Sequence, residues 1–224
     1  MFSSYERNRL LERVSSFLMP RKGERVALDI AGGDGVVSTF LGGIGWRMTT
    51  FDISITAARR ARARGIGDVL LADVEVGLPF RSSTFDMVFW GDNVEHLRYP
   101  LEVLKDIRRV LCDSGTLVMS TPNIGWLPFR FYHLATGMIC RSEGHQNPPW
   151  SWEHIRFFNL RVLRDFLWTG GFELQHIWGC DRRTLFDYLS RISPSMFGSI
   201  LVLSAKKVIA DEKERTTGGK WSRT

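Results

Sequence analysis

Apolar and polar positions recur with two different periods along this chain, and the switches between them mark out its elements. The first 18 residues interleave Glu6, Arg7, Arg9, Glu12 and Arg13 with apolar positions, which predicts an amphipathic helix ending before Pro20 and Gly23. An apolar run, Val26 to Ile30, then ends in glycines and reads as a buried strand feeding a turn. The pattern repeats with a helix from near Val36, a strand Arg47 to Phe51, a helix Ile55 to Arg64 and a short strand Val69 to Leu71. Beyond Gly77-Leu78-Pro79-Phe80 follow a fourth strand, Phe85 to Trp90, and a helix, Pro100 to Leu111. A turn at Asp113-Ser114-Gly115 leads into a fifth strand, Thr116 to Ser120.

Strict alternation of strand and helix implies a parallel sheet covered on both faces, because each crossover must return over the sheet. Residues 122–150 break the rhythm with aromatics, glycine and proline and predict a lid-like insertion over the mouth of the sheet. A helix, Leu160 to Trp168, ends at Gly170-Gly171, and two β-rich segments, Phe172 to Trp178 and Ile200 to Lys206, close a domain spanning 1–207. Residues 208–224 read as a flexible tail.

Composition narrows the picture. With 224 residues, 44% hydrophobic and 24% charged, the chain has the balance of one globular domain and not of a disordered or membrane-spanning protein. The start lacks the uninterrupted apolar core of a signal peptide, and Cys112, Cys140 and Cys180 are odd in number and widely spaced, so reduced thiols and a cytoplasmic setting are expected. A net charge of +6 permits phosphate-bearing partners. The densest basic run, Arg59 to Arg64, is arginine and alanine without interleaved aromatics, which favours a solvated helix face over a nucleic-acid patch.

The segment Leu28-Asp29-Ile30-Ala31-Gly32-Gly33-Asp34-Gly35 is a strand, a glycine turn and a helix start, where a backbone without Cβ atoms can approach a ligand closely. Ser38 stands where a dinucleotide fingerprint would have its third glycine, which counts against that reading. Asp52 ends the second strand, where a carboxylate can accept both hydroxyls of a ribose, and Asp73 follows the third. Each acid alone fits a turn or cap; a glycine turn and two acids at successive strand ends point together to a nucleoside ligand.

These residues, with FDIS, ADVEVGLPF, STFDMVFWGDNVEHLRYPLEVLKDIRRVL, GTLVMSTPN, EHIRFF and GGF in order, resemble the class I methyltransferases that use S-adenosylmethionine, and among them the ubiquinone-biosynthesis-type enzymes. The resemblance runs from about Glu24 to Lys206. It implies a Rossmann-like sheet of seven strands, mostly parallel with an antiparallel last strand. It also implies that Asp29, Ala31, Gly32, Gly33 and Gly35 surround the methionine part of the cofactor, with Asp52 and Ile53 at the ribose, Asp73 and Val74 beside the adenine, and Trp90 and Gly91 flanking the sulfonium. Ala31-Gly32-Gly33 departs from the Gly-Cys-Gly or Gly-Ser-Gly frequent in the family, at the expense of one side-chain contact.

Methyl transfer from a sulfonium needs alignment and exclusion of water more than a covalent nucleophile, but an acceptor hydroxyl needs help in losing its proton. His96, Glu95 and His154 are the candidates for that work. Asp92, Glu95, His96 and His154 also resemble the metal-ligand set of small-RNA 2′-O-methyltransferases and of some ubiquinone-pathway enzymes; the short arm of Asp92 argues against an ion, and no metal is assigned. The aromatic stretch Gly125 to His133, with Trp150 and Trp152, suits an apolar acceptor or contact with a membrane surface, against the ordinary alternative of core packing. The expected activity is O-methylation of a small molecule or of a glycan- or lipid-linked intermediate. The rivals are a catalytically silent cofactor-binding partner and an RNA methyltransferase.

Overall fold

The computed structural model describes residues 11, 18, 19, 25–138 and 153–208. Apart from Val208, which is buried and donates to Gly171 O, the predicted tail lies outside these residues, as do Trp150, Trp152 and most of the predicted N-terminal helix. Seven strands form one sheet: β1 (Arg25–Ile30), β2 (Trp46–Asp52), β3 (Asp68–Leu71), β4 (Phe85–Gly91), β5 (Leu111–Pro122), β6 (Phe172–Cys180) and β7 (Ile200–Lys207). Their order is β3-β2-β1-β4-β5-β7-β6. All neighbours pair in parallel except β7, which runs antiparallel to both β5 and β6. The expected mixed sheet is therefore the observed one.

Helices α1 (Val36–Gly43), α2 (Ile55–Ala63), α3 (Pro100–Val110), α4 (Leu127–Thr136), α5 (Leu160–Thr169), α6 (Thr184–Leu189) and α7 (Pro194–Phe197) connect these strands. Their ends are chemically marked: the Ser54 hydroxyl accepts from Ala57 N at the start of α2, and the Asn159 side chain accepts from Val162 N at the start of α5. The sheet is buried on both faces because its strands are apolar at odd and even positions alike. Along β4, Val88 and Trp90 enter the core shared with α3 and α5, while Met87 and Phe89 enter the second core, which also holds Leu11, Leu18 and Leu41. The buried pair Leu11 and Leu18, seven residues apart, accords with the predicted amphipathic helix.

Strand β5 begins earlier than its pattern suggests. Leu111 pairs with Phe85, the register shifts, and pairing resumes at Thr116 opposite Met87, so the expected turn at 113–115 is an irregularity within the strand. The last strands also run longer than predicted, and α6 with α7 fills the link between them, which showed no clear period in sequence.

Order reverses between β1 and β4, since β2 and β3 extend to one side and β5 onward to the other. A cleft at the carboxyl ends of β1 and β4 follows from that topology. The turn entering it is built tightly. Gly35 has φ of 76°, and a Cβ there would lie 2.3 Å from Ile66 Cδ1 and 3.2 Å from the Ala61 backbone. Gly35→Ala is expected to destabilise the fold by about 2–4 kcal/mol, combining left-handed strain with overpacking. Urea unfolding measures this; an unchanged midpoint would refute the packing described.

Candidate functional site

Three strand ends meet at one rim, as the parallel pairing of β1 with β2 and of β2 with β3 requires. The Asp52 carboxylate accepts from Gly33 N at 2.8 Å through Oδ2 and from Ser54 N at 2.7 Å through Oδ1. Each oxygen keeps a second lone-pair direction for a further donor. A Cβ placed on Gly33 would meet nothing within 4 Å, so the turn opens onto free space beside that carboxylate. Ile53 is 68% exposed at the same rim, an apolar surface on which a planar base can lie. Asp73 follows β3 and is turned inward by accepting from Glu75 N at 2.9 Å, with Val74 buried behind it. A glycine turn over open space, a carboxylate with spare acceptor capacity and an exposed aliphatic side chain fit an adenosyl group chemically.

Two of the predicted contacts are placed differently. Asp29 lies under the turn and not on its open side: its carboxyl is 1% exposed and accepts from the Ser38 hydroxyl at 2.6 Å. Ser38 in turn meets the Thr50 hydroxyl at 2.7 Å, and a Cβ on Gly32 would strike Asp29 Oδ2 and Thr50 Cγ2 at 2.7 Å. Asp29 therefore shapes the turn from below. The serine that spoils a dinucleotide fingerprint has its reason here, because its hydroxyl satisfies a buried acid where a third glycine could not. The Trp90 indole is likewise buried in the core, donating to Asn93 Oδ1 at 2.9 Å, so only its backbone borders the rim beside Gly91.

Burial raises the Asp29 carboxyl to about 7, with Asp52 adding to the rise and Ser38 opposing it. Its folded-state value stands above its unfolded one, so the unfolded chain gives up its proton first. Stability then falls between about pH 4 and pH 7 and is flat above. The total is on the order of 4 kcal/mol. Asp29→Asn keeps an acceptor for Ser38 and removes the titration. Its stability relative to the parent is expected to improve steadily from pH 4 to pH 7 in urea melts; a pH-independent difference would contradict this origin.

Past β4, residues Val94–His96 form a single 3₁₀ turn that brings the acceptor-side candidates together. The Glu95 backbone carbonyl accepts from both Ile155 N and Arg156 N, tying this turn to the segment that carries His154. Glu95 is 2% exposed; its Oε2 accepts from the Thr121 hydroxyl at 3.1 Å, and its Oε1, 4.0 Å from His154 Nε2, has no hydrogen-bond partner. That separation is within ion-pair range and outside direct hydrogen bonding. The His96 and His154 rings meet edge to face at 4.6 Å, and His96 Nδ1 lies 3.1 Å from Glu153 O. Burial pushes the Glu95 carboxyl above its ordinary range.

Glu95, His96 and His154 place one ligand atom each within 4.8 Å of one another, a spacing that can receive a cation, while Asp92 stands outside this group and accepts from the Ser120 hydroxyl at 3.0 Å. Sequence reasoning missed Ser120 and Thr121. These adjacent hydroxyls at the end of β5 hold Asp92 and Glu95 respectively, and only the parallel pairing of β4 with β5 reveals it. Of the remaining predicted elements, the lid is described only to Met138, where α4 projects with no fully buried residue. Trp126 at its start is buried against Phe129 and Phe186. Cys112 is half-buried and Cys180 buried, and Cys140 lies outside the described residues.

Residues 28–119 match the family model described as a methyltransferase domain. That stretch runs from β1 to β5 and carries the glycine turn, Asp52 and Asp73, and the fold of the whole sheet is that of solved S-adenosylmethionine-dependent methyltransferases. A 116-residue stretch is 31% identical to the ubiquinone/menaquinone biosynthesis C-methyltransferase UbiE of Roseobacter denitrificans, covering 48% of this chain and 46% of the relative. The chain thus spans about half the length of the curated relatives it matches. An S-adenosylmethionine-dependent methyltransferase from Mesorhizobium loti shares the fold at a TM-score of 0.62 and 17% identity, over 88% of this chain and 97% of that one. The [4+2]-cyclase SpnF does so at 0.65 and 19%, over 91% and 82%, which shows one fold carrying different chemistry.

Proposed function

We propose that this chain binds S-adenosylmethionine at the rim formed by Ala31, Gly32, Gly33, Gly35, Asp52, Ile53, Asp73, Val74 and the Trp90–Gly91 backbone, and methylates an acidic hydroxyl compound by direct displacement. The bound cofactor supplies a methyl group already activated by positive sulfur. The protein's work is to hold the adenosyl part against Asp52 and Ile53, to align the acceptor and to exclude water. His154 takes the acceptor proton at Nε2. Glu95 faces that nitrogen with its unpartnered oxygen and stabilises the imidazolium that results, while Thr121 occupies the other oxygen. His96 lies against the imidazole face and restrains its orientation.

The observation that carries this reading is the buried Glu95 oxygen 4.0 Å from His154 Nε2, beside the strand ends that hold the donor rim. A carboxylate deprived of water and turned toward a histidine has a cost that proton transfer repays. Oxygen is the proposed methylation site, on an acceptor that is a small molecule or a glycan- or lipid-linked intermediate. A second reading is favoured by the match to a C-methyltransferase. There, removing a phenolic proton would activate the ring carbon; once that carbon carries the methyl group it must lose its own proton to restore the ring, and the same base, relieved of the first proton, would take the second. Incubation with S-adenosylmethionine and a panel of phenols and quinols, with products resolved by mass spectrometry and NMR, decides between them. An O-methyl product supports the first reading, and a ring-methyl product replaces it with the second. Tight binding of S-adenosylhomocysteine without turnover across the panel would refute methylation of this acceptor class and favour a silent partner. Salt-sensitive RNA binding with RNA methylation would favour the RNA enzyme.

A further inference from the structure

Helix α4 leaves the carboxyl end of β5, and α6 with α7 leaves that of β6, which points the same way because both strands are antiparallel to β7. The two helical pieces therefore flank the acceptor side of the rim. They are joined there: the Trp126 ring packs on Phe186, its Nε1 donates to Phe197 O, and the Arg183 guanidinium lies 4.8 Å above it.

Both pieces turn apolar residues outward. On α4, Phe131 and Leu134 are 62% and 82% exposed one turn apart, and Met138, just past the Gly137 cap, is exposed as well. On α6 Leu185 and Tyr188, and in the turn after it Ile192, are all more than 60% exposed, while Phe186, Asp187 and Ser190 face the protein. Six large apolar side chains exposed on two segments joined through Trp126 are more than scattered single exposures and point to a surface that meets something.

Charge identifies what it meets. From Asn123 to Met138 there is no acidic residue, and from Asp181 to Gly198 the two acids, Asp181 and Asp187, are each 3% exposed. Arg130, Arg182, Arg183 and Arg191 are exposed, so every exposed Asp, Glu, Lys or Arg on these two segments is positive. Exposed apolar side chains on segments whose only exposed charges are arginines match an anionic lipid surface, with the side chains entering the acyl boundary and the guanidinium groups reaching phosphate. They match RNA less well, since four of the six exposed apolar side chains, Leu134, Met138, Leu185 and Ile192, offer no stacking face for bases.

We infer that α4 and α6–α7 form a docking surface for anionic membranes, turning the acceptor side of the rim toward the lipid so that a membrane-borne acceptor can enter. The surface stands on exposure and charge; its use for acceptor delivery rests on the function proposed above. No helix among the described residues is long and apolar enough to cross a membrane, so the contact is peripheral.

Sedimentation of the full chain with phosphatidylglycerol-containing vesicles, against pure phosphatidylcholine vesicles, tests it. Binding is expected to the anionic vesicles only and to weaken with salt. Leu134→Glu with Ile192→Glu should abolish it, and Arg182→Ser with Arg191→Ser should weaken it about 25-fold, at roughly fivefold per arginine. No binding, equal binding to neutral vesicles, or unchanged binding by both variants overturns the inference. Loss of a self-associated species on Leu134→Glu in sedimentation velocity, with no vesicle binding, overturns it in favour of a second copy as the occupant. Binding of S-adenosylhomocysteine by the same variants separates the two proposals: vesicle binding lost with the cofactor retained concerns this surface alone, and cofactor lost in the parent concerns the rim alone.

Discussion

Asp52→Ala is expected to weaken S-adenosylhomocysteine binding by about 100-fold or more in isothermal titration, with the fold retained. Two charge-assisted hydrogen bonds to ribose hydroxyls carry roughly 3 kcal/mol or more together, which corresponds to that factor. The same substitution releases the Gly33 and Ser54 amides that Asp52 now accepts from, so a modest loss of stability, about 1–2 kcal/mol, should accompany it. Circular dichroism and thermal melting keep the two effects apart. Should affinity stay within a few-fold of the parent, the rim is not where the cofactor's ribose sits, and the assignment of the whole site fails with it.

His154→Ala is expected to lower turnover by about 100- to 10,000-fold while S-adenosylhomocysteine affinity stays within about twofold, the split expected of a proton acceptor that does not touch the cofactor. Glu95→Gln should act in the same direction with a smaller effect, since it keeps an acceptor for the Thr121 hydroxyl and loses the charge facing His154. Added imidazole should restore part of the rate of His154→Ala, because a free base can occupy the space the side chain leaves. Turnover equal to the parent would leave His154 a structural residue that ties the 153–156 segment to the 3₁₀ turn.

Much of this architecture was legible in the order of residues, for identifiable reasons. The strands β1, β2 and β4 are short apolar runs closed by glycine or acid, and a buried parallel strand can look no other way. Amphipathic α3 and α5 announce themselves by period. What escaped was whatever depends on the register of elements distant in the chain. The early start of β5 is invisible because its first residues, Leu111 to Gly115, read locally as a helix end and a turn; only pairing with Phe85 makes a strand of them. Helices α6 and α7 are short and lack a full apolar face, and packing of Phe186 and Phe197 with Trp126 rather than propensity holds them in place.

The candidate site divides along the same line. Residue types at strand ends, Gly33, Asp52 and Asp73, could be singled out by sequence because a strand end is a local event whose place in a doubly wound sheet is set by topology. Which side of the turn each side chain occupies was not local. Asp29 and Trp90 have the right positions in the chain, yet one lies beneath the glycine turn and the other in the core, since alternation along a strand and the volume beneath it decide that. Glu95 and His154 lie 59 residues apart, and no spacing rule joins them; two backbone hydrogen bonds from Ile155 and Arg156 to the Glu95 carbonyl do. By itself, then, the sequence determined the class of fold and which residues stand at its strand ends, because these follow from period and punctuation. The tertiary structure alone decided the meeting of Glu95 with His154, the buried acid under the turn and the outward apolar side chains, because those depend on which distant surfaces exclude water from one another.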